Sequence, residues 1–397
     1  MASAEIERRA AMLFRDGRFQ QATEAYRTLL DRHPERLDVQ ARLGYLDLIA
    51  NEPETAVTRL STALENGYRK REVLSHLGEA YCRVGDLGPA ALCFQQLGRD
   101  GLAGTLAAMA DLAIMRLGAP LLGSDLAWIS SDPLPVVRAE VNGVAANLVI
   151  DTGAGDCVLD SSFSVSAGVR LGGQEWRHFA GGQHAQVTHG HAEQLKLRDT
   201  LIHDVPVQVL DLQAVFGDWY HDLTIHGILG IRVMSLFDCA LDYQAGLLSL
   251  QPPDDRRSMN EGVPIWLAEN WMLLSHMDFP ALGQALVFLD TGMTGGAFAV
   301  SATRAPDLGV DSGAHEPLVG VGGGGKIAGT GAHANALRLG SFERRNVKGL
   351  LLDSLSIEST LGFRINGLIG HDMLRDTRMH MDFANMRLHV SDASQNA

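Results

Sequence analysis

The segment Asn147–Cys157 reads NLVIDTGAGDC, and Leu286–Gly296 reads LVFLDTGMTGG. The two share an apolar run that ends in Asp-Thr-Gly, with the aspartates 139 residues apart. Aspartate is a poor strand former and is costly to bury, so an aspartate closing a buried apolar run needs a partner or a purpose. The repetition makes each copy the natural partner of the other.

Landmarks downstream of the aspartates test whether the match is accidental. Thirty residues after each aspartate comes a glycine-rich segment, GGQ from Gly181 and GVGGGGK from Gly320. LKL from Leu195 answers LRL from Leu337, and Val205 and Val347 follow each at ten residues. GILG at Gly227–Gly230 answers GLIG at Gly367–Gly370, and LDYQAGLLSL from Leu241 answers MDFANMRLHV from Met381. Short apolar runs between Gly-, Asn- and Asp-rich turns are the pattern of an all-β fold. Asn142-Gly143 predicts a two-residue hairpin just before the first aspartate strand. The order and spacing of these landmarks make 136–256 and 257–392 a duplicated pair of β lobes.

The paired triplets, each followed at about eighty residues by Ile228-Leu229-Gly230 or Leu368-Ile369-Gly370, resemble the pepsin and retropepsin superfamily of aspartic peptidases, with lobe lengths closest to the bacterial retropepsin-like type. The resemblance covers roughly 255 residues. It implies a two-lobed acid-protease-like β-barrel fold with Asp151 and Asp290 as a catalytic dyad and no cofactor or metal. Two carboxyls held close together cannot both ionise, so one proton is shared between them; the pair can then activate a water and protonate a leaving amine. The resemblance further implies that Thr152 and Thr291 cross-bond the lobes and that Gly181, Gly182, Gly322, Gly323 and Gly324 lie in flaps over the cleft. Gly153 and Gly292 allow close backbone approach at the tight turns.

The first hundred residues repeat on a different period. Gly17, Asn51 and Gly85 recur at steps of 34, as do Ala22, Ala56 and Ala90, and Tyr26, Leu60 and Phe94. Leu43-Gly44 recurs as Leu77-Gly78, followed by Tyr81, and His33-Pro34 closes the first unit. This pattern resembles the tetratricopeptide repeat, a helix-turn-helix unit whose stacks leave a groove. The stretch 1–118 is therefore expected to be a TPR-like solenoid with Gly101–Leu117 as its capping helix. A groove implies docking of a protein or peptide; the competing expectation is a packing module for the rest of the chain. The Gly-, Pro- and Ser-rich stretch 119–135 reads as a linker.

The bulk numbers narrow the partners. A composition of 46% hydrophobic and 20% charged residues is that of a globular protein. A formal net charge of −14 argues against nucleic acid or an anionic membrane surface, because both need clustered cations. No apolar stretch reaches the length of a membrane span or a secretory leader, so a cytoplasmic location is expected. Cys82, Cys93, Cys157 and Cys239 show no metal or disulfide spacing and read as reduced, mostly buried thiols. GVGGGGK has nearly the spacing of a phosphate loop, but Ile327 follows the lysine and the segment lies in a β lobe, so it reads as a flap tip. His178, His184, His189 and His191 read as solvated residues of a flap strand rather than a metal site. The leading reading is an aspartic endopeptidase with peptide or protein substrates docked by helical repeats. The alternative is a peptidase fold without activity that holds peptides as a scaffold.

Overall fold

A computed structural model describes residues 2–119, 123–178, 184–217, 219–220, 222–253, 262–322, 325–355 and 361–392. The glycine-rich tips Gly181, Gly182, Gly323 and Gly324 lie outside the described residues. The chain is a helical repeat followed by a two-lobed β fold. Among the described residues no helix is long and apolar enough to cross a membrane.

Three helix pairs, α1 (Ser3–Arg15) and α2 (Phe19–Arg32), α3 (Leu37–Ile49) and α4 (Pro53–Glu65), and α5 (Arg71–Val84) and α6 (Leu87–Gln96), precede α7 (Asp100–Ala108). The 34-residue period has a direct physical cause. Gly17, Asn51 and Gly85 turn the chain between paired helices with φ of 72°, 61° and 85°, the left-handed region that favours Gly and Asn. Gly44 and Gly78 sit where helices touch: a Cβ on Gly44 would meet Leu60 Cγ at 2.8 Å, and one on Gly78 would meet Phe94 Cζ at 3.0 Å. Ala22, Ala56 and Ala90 are fully buried in the same seams. The capping stretch is helical only to Ala108; Arg116–Leu117 leaves as a strand and pairs with Ile202 and His203 of the first lobe.

Part of the surface of α3 and α5 is covered by the second lobe. Helix α3 is apolar nearly all round and buried nearly all round, as such a helix must be. Phe14, Phe19 and Tyr45 pack with Trp266 and Phe363 of the second lobe, with the Phe19 and Phe363 rings 4.9 Å apart. Tyr45 stacks on His76 at 3.8 Å, and His76 Nε2 lies 3.2 Å from Glu269. Arg83 donates to the carbonyls of Leu48, Leu267 and Ala268 and so ties α3, α5 and the second lobe together. Three repeats are near the lower limit for stability, and this packing against the second lobe adds to what they bury.

Within each lobe the same interlock recurs. Val144–Ile150 pairs in parallel with Gly227–Leu229, which runs antiparallel to Cys157–Asp160. Gly283–Asp290 pairs in parallel with Gly367–Gly370, which runs antiparallel to Phe298–Ser301. The lobes share an antiparallel sheet ordered Ser124–Ser130, Leu247–Gln251, Asp238–Asp242, Thr377–Asp382, Arg387–Asp392 and Val263–Leu267. Its central pair comes from the repeated LDY and MDF landmarks, and its first strand lies in the stretch expected as a linker. Ser124–Ser130 alternates Leu126 inward with exposed neighbours, which is what a sheet edge over a core requires.

Phe363→Ala removes an aromatic ring shared by the repeat and the second lobe. The expected cost is about 3–5 kcal/mol, read as a lower denaturant midpoint with the helical and β signals still lost together.

Candidate active site

Asn142 and Gly143 turn Val136–Val141 into Val144–Ile150 with φ of 50° and 81°, the left-handed pair that a two-residue hairpin needs. Apolar Leu148, Val149 and Ile150 are buried in that strand, which carries Asp151 to the junction of the lobes. The second lobe brings Asp290 to the same junction from the opposite side on buried Val287 and Leu289.

The junction is tied by reciprocal bonds. Thr152 N–H donates to Thr291 Oγ1 at 2.9 Å, and Thr291 N–H donates to Thr152 Oγ1 at 3.0 Å. Thr152 Oγ1 in turn donates to the Leu289 carbonyl at 2.8 Å. Both threonines are buried, so each of these groups would be costly to leave unpaired. Above them Gly153 N–H donates to Asp151 Oδ1 at 2.7 Å, and Gly292 N–H donates to Asp290 Oδ1 at 3.0 Å. A Cβ on Gly153 would lie 2.3 Å from Asp290 Oδ1, and one on Gly292 would lie 2.5 Å from Asp151 Cγ. Only glycine lets each loop approach the opposite carboxyl this closely.

The carboxyls hydrogen-bond to each other. Desolvation raises Asp151, though the Gly153 N–H and Asp290 pull it back. Desolvation and then the charge of Asp151 hold Asp290 well above the ordinary carboxyl range. Two carboxyls in this state retain a proton that isolated ones would lose, and the proton belongs to the pair.

Beneath the loops, Gly230 and Gly370 play matching parts. Ile231 N–H donates to the Ala154 carbonyl at 2.8 Å and His371 N–H to the Met293 carbonyl at 3.0 Å. A Cβ on Gly230 would lie 2.2 Å from the Asp156 carbonyl, and one on Gly370 would lie 2.7 Å from Met293 Cε. Met293, bulky where the first lobe has Ala154, thus rests against a residue with no side chain. Leu229 and Ile369 are fully buried behind these contacts, with Ile228 and Leu368 beside them on the same strands.

Residues 137–233 match the family model described as aspartyl protease. The β fold in which those residues lie is acid-protease-like. A retropepsin-like aspartic protease from Rickettsia conorii is similar at 17% identity and a TM-score of 0.23, over 34% of this chain and 90% of that one. No curated protein matches.

The segments expected as flaps belong to two hairpins, Arg170–His178 with His184–Leu197 and Asp311–Gly322 with Gly325–Leu339, where Gly322 pairs with Gly325. The phosphate-loop-like Val321 and Lys326 are cross-strand neighbours in the second of these. His189 and His191 are buried, contrary to the expectation of solvated side chains: His189 Nε2 lies 3.1 Å from Glu175 and His191 Nε2 lies 3.1 Å from Asp204. The alternation of the strand puts both on one face, but nothing local in the sequence reveals which carboxylates face them.

Several neighbours of the site escape sequence reading. Asp156 accepts from Gln208 at 2.8 Å and from Arg232 at 3.2 Å. Burial pushes Asp156 up, and Arg232 with Gln208 more than offsets this and holds it below the ordinary range. Glu175 is likewise raised by burial and then brought down to about 2 by His189 and Arg99. Arg232 stands two residues past Gly230, an offset from a known landmark that offered a signal. Cys157, buried beside Asp156, has its thiol pushed up to about 12, so it does not compete as a nucleophile.

Two measurements follow. Thr152→Val leaves the buried Thr291 N–H unpaired and is expected to cost about 1–3 kcal/mol in denaturant unfolding, with Thr152→Ser close to wild type. The raised carboxyls stabilise the fold fully below the unfolded-state range and lose that contribution as pH climbs through the folded values. Asp290→Asn is therefore expected to unfold at higher denaturant than wild type at pH 7.5, with the difference vanishing near about pH 3.5.

Proposed function

We propose that the protein is an aspartic peptidase in which Asp151 and Asp290 hydrolyse peptide bonds together. The reading rests above all on the reciprocal Thr152–Thr291 bonds, which hold two carboxyls of raised pKa against each other at the lobe junction. The ionised member takes a proton from a water whose oxygen attacks the scissile carbonyl carbon. The protonated member donates a hydrogen bond to the carbonyl oxygen as negative charge develops there. Collapse of the tetrahedral intermediate breaks the C–N bond, and the proton taken from water goes to the departing amine. One new carboxyl and one new amine result, and the pair is left with the single proton it began with.

In this reading the two hairpins form the roof of the cleft and exclude bulk water once a peptide is seated. The helical repeats serve as a brace for the β lobes rather than as a docking platform. Tyr45, His76 and Arg83 of the repeat contact the second lobe.

Cleavage of a peptide library between about pH 4 and 7.5 tests the dyad. Asp151→Asn and Asp290→Asn should each lower kcat by about a thousandfold or more, and the wild-type rate should fall on both sides of an optimum as the pair gains or loses its proton. Retention of the wild-type rate by either variant rules out a shared role.

A further inference from the structure

Each dyad aspartate follows a buried strand, and the residue four before it lies on the strand face turned away from the main core of the β lobes. In the first lobe that residue is Asn147, half-buried, whose Nδ2 donates to the Thr224 carbonyl at 2.8 Å. In the second lobe it is Leu286, fully buried. The backbone around the two is alike: His226 N–H donates to the Asn147 carbonyl at 2.9 Å, and Asn366 N–H donates to the Leu286 carbonyl at 2.7 Å. The difference lies in what covers them. On the same face as Asn147, Val149 packs with Leu212, Phe216, Tyr220 and Ile225 of its own lobe. Leu286 and Phe288 pack instead into the cluster built by the helical repeat.

The contact falls on the corner between α1 and α2. Gly17 holds φ of 72° there, and a Cβ on it would lie 2.7 Å from Leu286 Cβ. Both atoms would be fixed to backbone, so no change of rotamer relieves that clash, and corner and strand would have to part by about 1 Å to reach ordinary carbon contact. The corner is bonded to the lobe as well as packed on it. His276 Nε2 donates to the Gly17 carbonyl at 3.0 Å, and His276 is the cross-strand partner of Leu286. Arg364 N–H donates to the Arg15 carbonyl at 2.8 Å, three residues ahead of the strand Gly367–Gly370 that pairs with Val287–Asp290. Two carbonyls of one corner therefore hold the bases of both strands that meet at the second aspartate. Phe14 and Phe19 flank the corner and pack with Phe363 and Trp266, which leaves it little room to retreat. Leu286 stands about 13 Å from Asp290 along a strand paired on both sides, so a push at one end is carried to the other.

Resting on the peptidase reading, we propose that Gly17 is a positioning residue for the dyad: the α1–α2 corner sets where Asp290 stands against Asp151, so the helical repeat belongs to the framework of the active site. The consequence is electrostatic as well as geometric. Repulsion between the carboxyls falls as they separate, so a displaced Asp290 gives up the shared proton at lower pH. A misplacement of about 1 Å, even from a change far from the reacting atoms, costs up to about a hundredfold in rate.

The test compares full-length wild type with Gly17→Ala and with Gly78→Ala, which crowds the repeat away from the second lobe, where a Cβ would meet Phe94 Cζ at 3.0 Å. Two readouts are taken: kcat and KM on a cleaved peptide against pH, and titration of the Asp151 and Asp290 carboxyls by carbon NMR, assigned with the two Asp→Asn variants. Gly17→Ala is expected to lower kcat by about tenfold to a hundredfold with KM within about threefold. The upper titration of the pair and the alkaline limb of the rate should both move down by about one pH unit. Gly78→Ala should lower the denaturant midpoint and move neither. If Gly17→Ala does not fold, Leu286→Ala, which removes the surface under the corner, carries the same expectations. A wild-type carboxyl titration in the folded variant, or an equal shift with Gly78→Ala, overturns the positioning role and leaves the dyad standing. Absence of Asp290-dependent cleavage in wild type overturns the peptidase reading, and the carboxyl titration then decides the positioning role on its own.

Discussion

Two carboxyls that repel when both are charged must be kept in contact, and the pair of N–H to hydroxyl bonds between Thr152 and Thr291 is what keeps them there. Everything else at the lobe junction follows from that constraint. The glycines after each threonine are small because the opposite carboxyl occupies the space a Cβ would need. The glycines of the two ILG-like motifs are small because the active loops rest on them. The repulsion itself is relieved by a retained proton, so the contact that costs stability at neutral pH also keeps a proton on the pair.

Holding two lobes in register by three threonine bonds alone would leave them free to rock. The shared sheet prevents this, since its central strands Asp238–Asp242 and Thr377–Asp382 pair residue for residue across the lobes. The helical repeats add a second restraint from outside. They grip the second lobe through an aromatic cluster and the first through Arg99, which forks onto Glu175 at 3.0 and 2.6 Å.

Much of this was legible because duplication leaves periodic traces. The 34-residue step marks turns of positive φ and helix contacts too close for a Cβ, and the glycines of the DTG and ILG-like landmarks mark equally close contacts, and such positions tolerate few residue types. Asn142-Gly143 was readable for the same reason: its turn requires two residues with positive φ. What stayed hidden was long-range pairing. His189 and His191 look like surface residues until Glu175 and Asp204 are placed against them, and nothing in the sequence of the repeat reveals that Tyr45 and His76 pack against the second lobe. Ser124–Ser130 lies amid turn formers, and only the neighbouring strand Leu247–Gln251 makes it part of a sheet.

The contact between α7 and the strand Arg170–His178 is of an unusual kind. Gly101 and Gly173 meet backbone to backbone, so that a Cβ on Gly173 would fall 2.3 Å from Gly101 Cα, while Thr105 Oγ1 accepts from Gly173 N–H at 3.0 Å. Packing between side chains can be adjusted a methylene at a time, because rotamers yield. Two bare backbones have nothing to yield, so this contact acts as a fixed gauge that sets the spacing between the helix and the strand. Variation there has no intermediate grades: the gauge is either kept or lost.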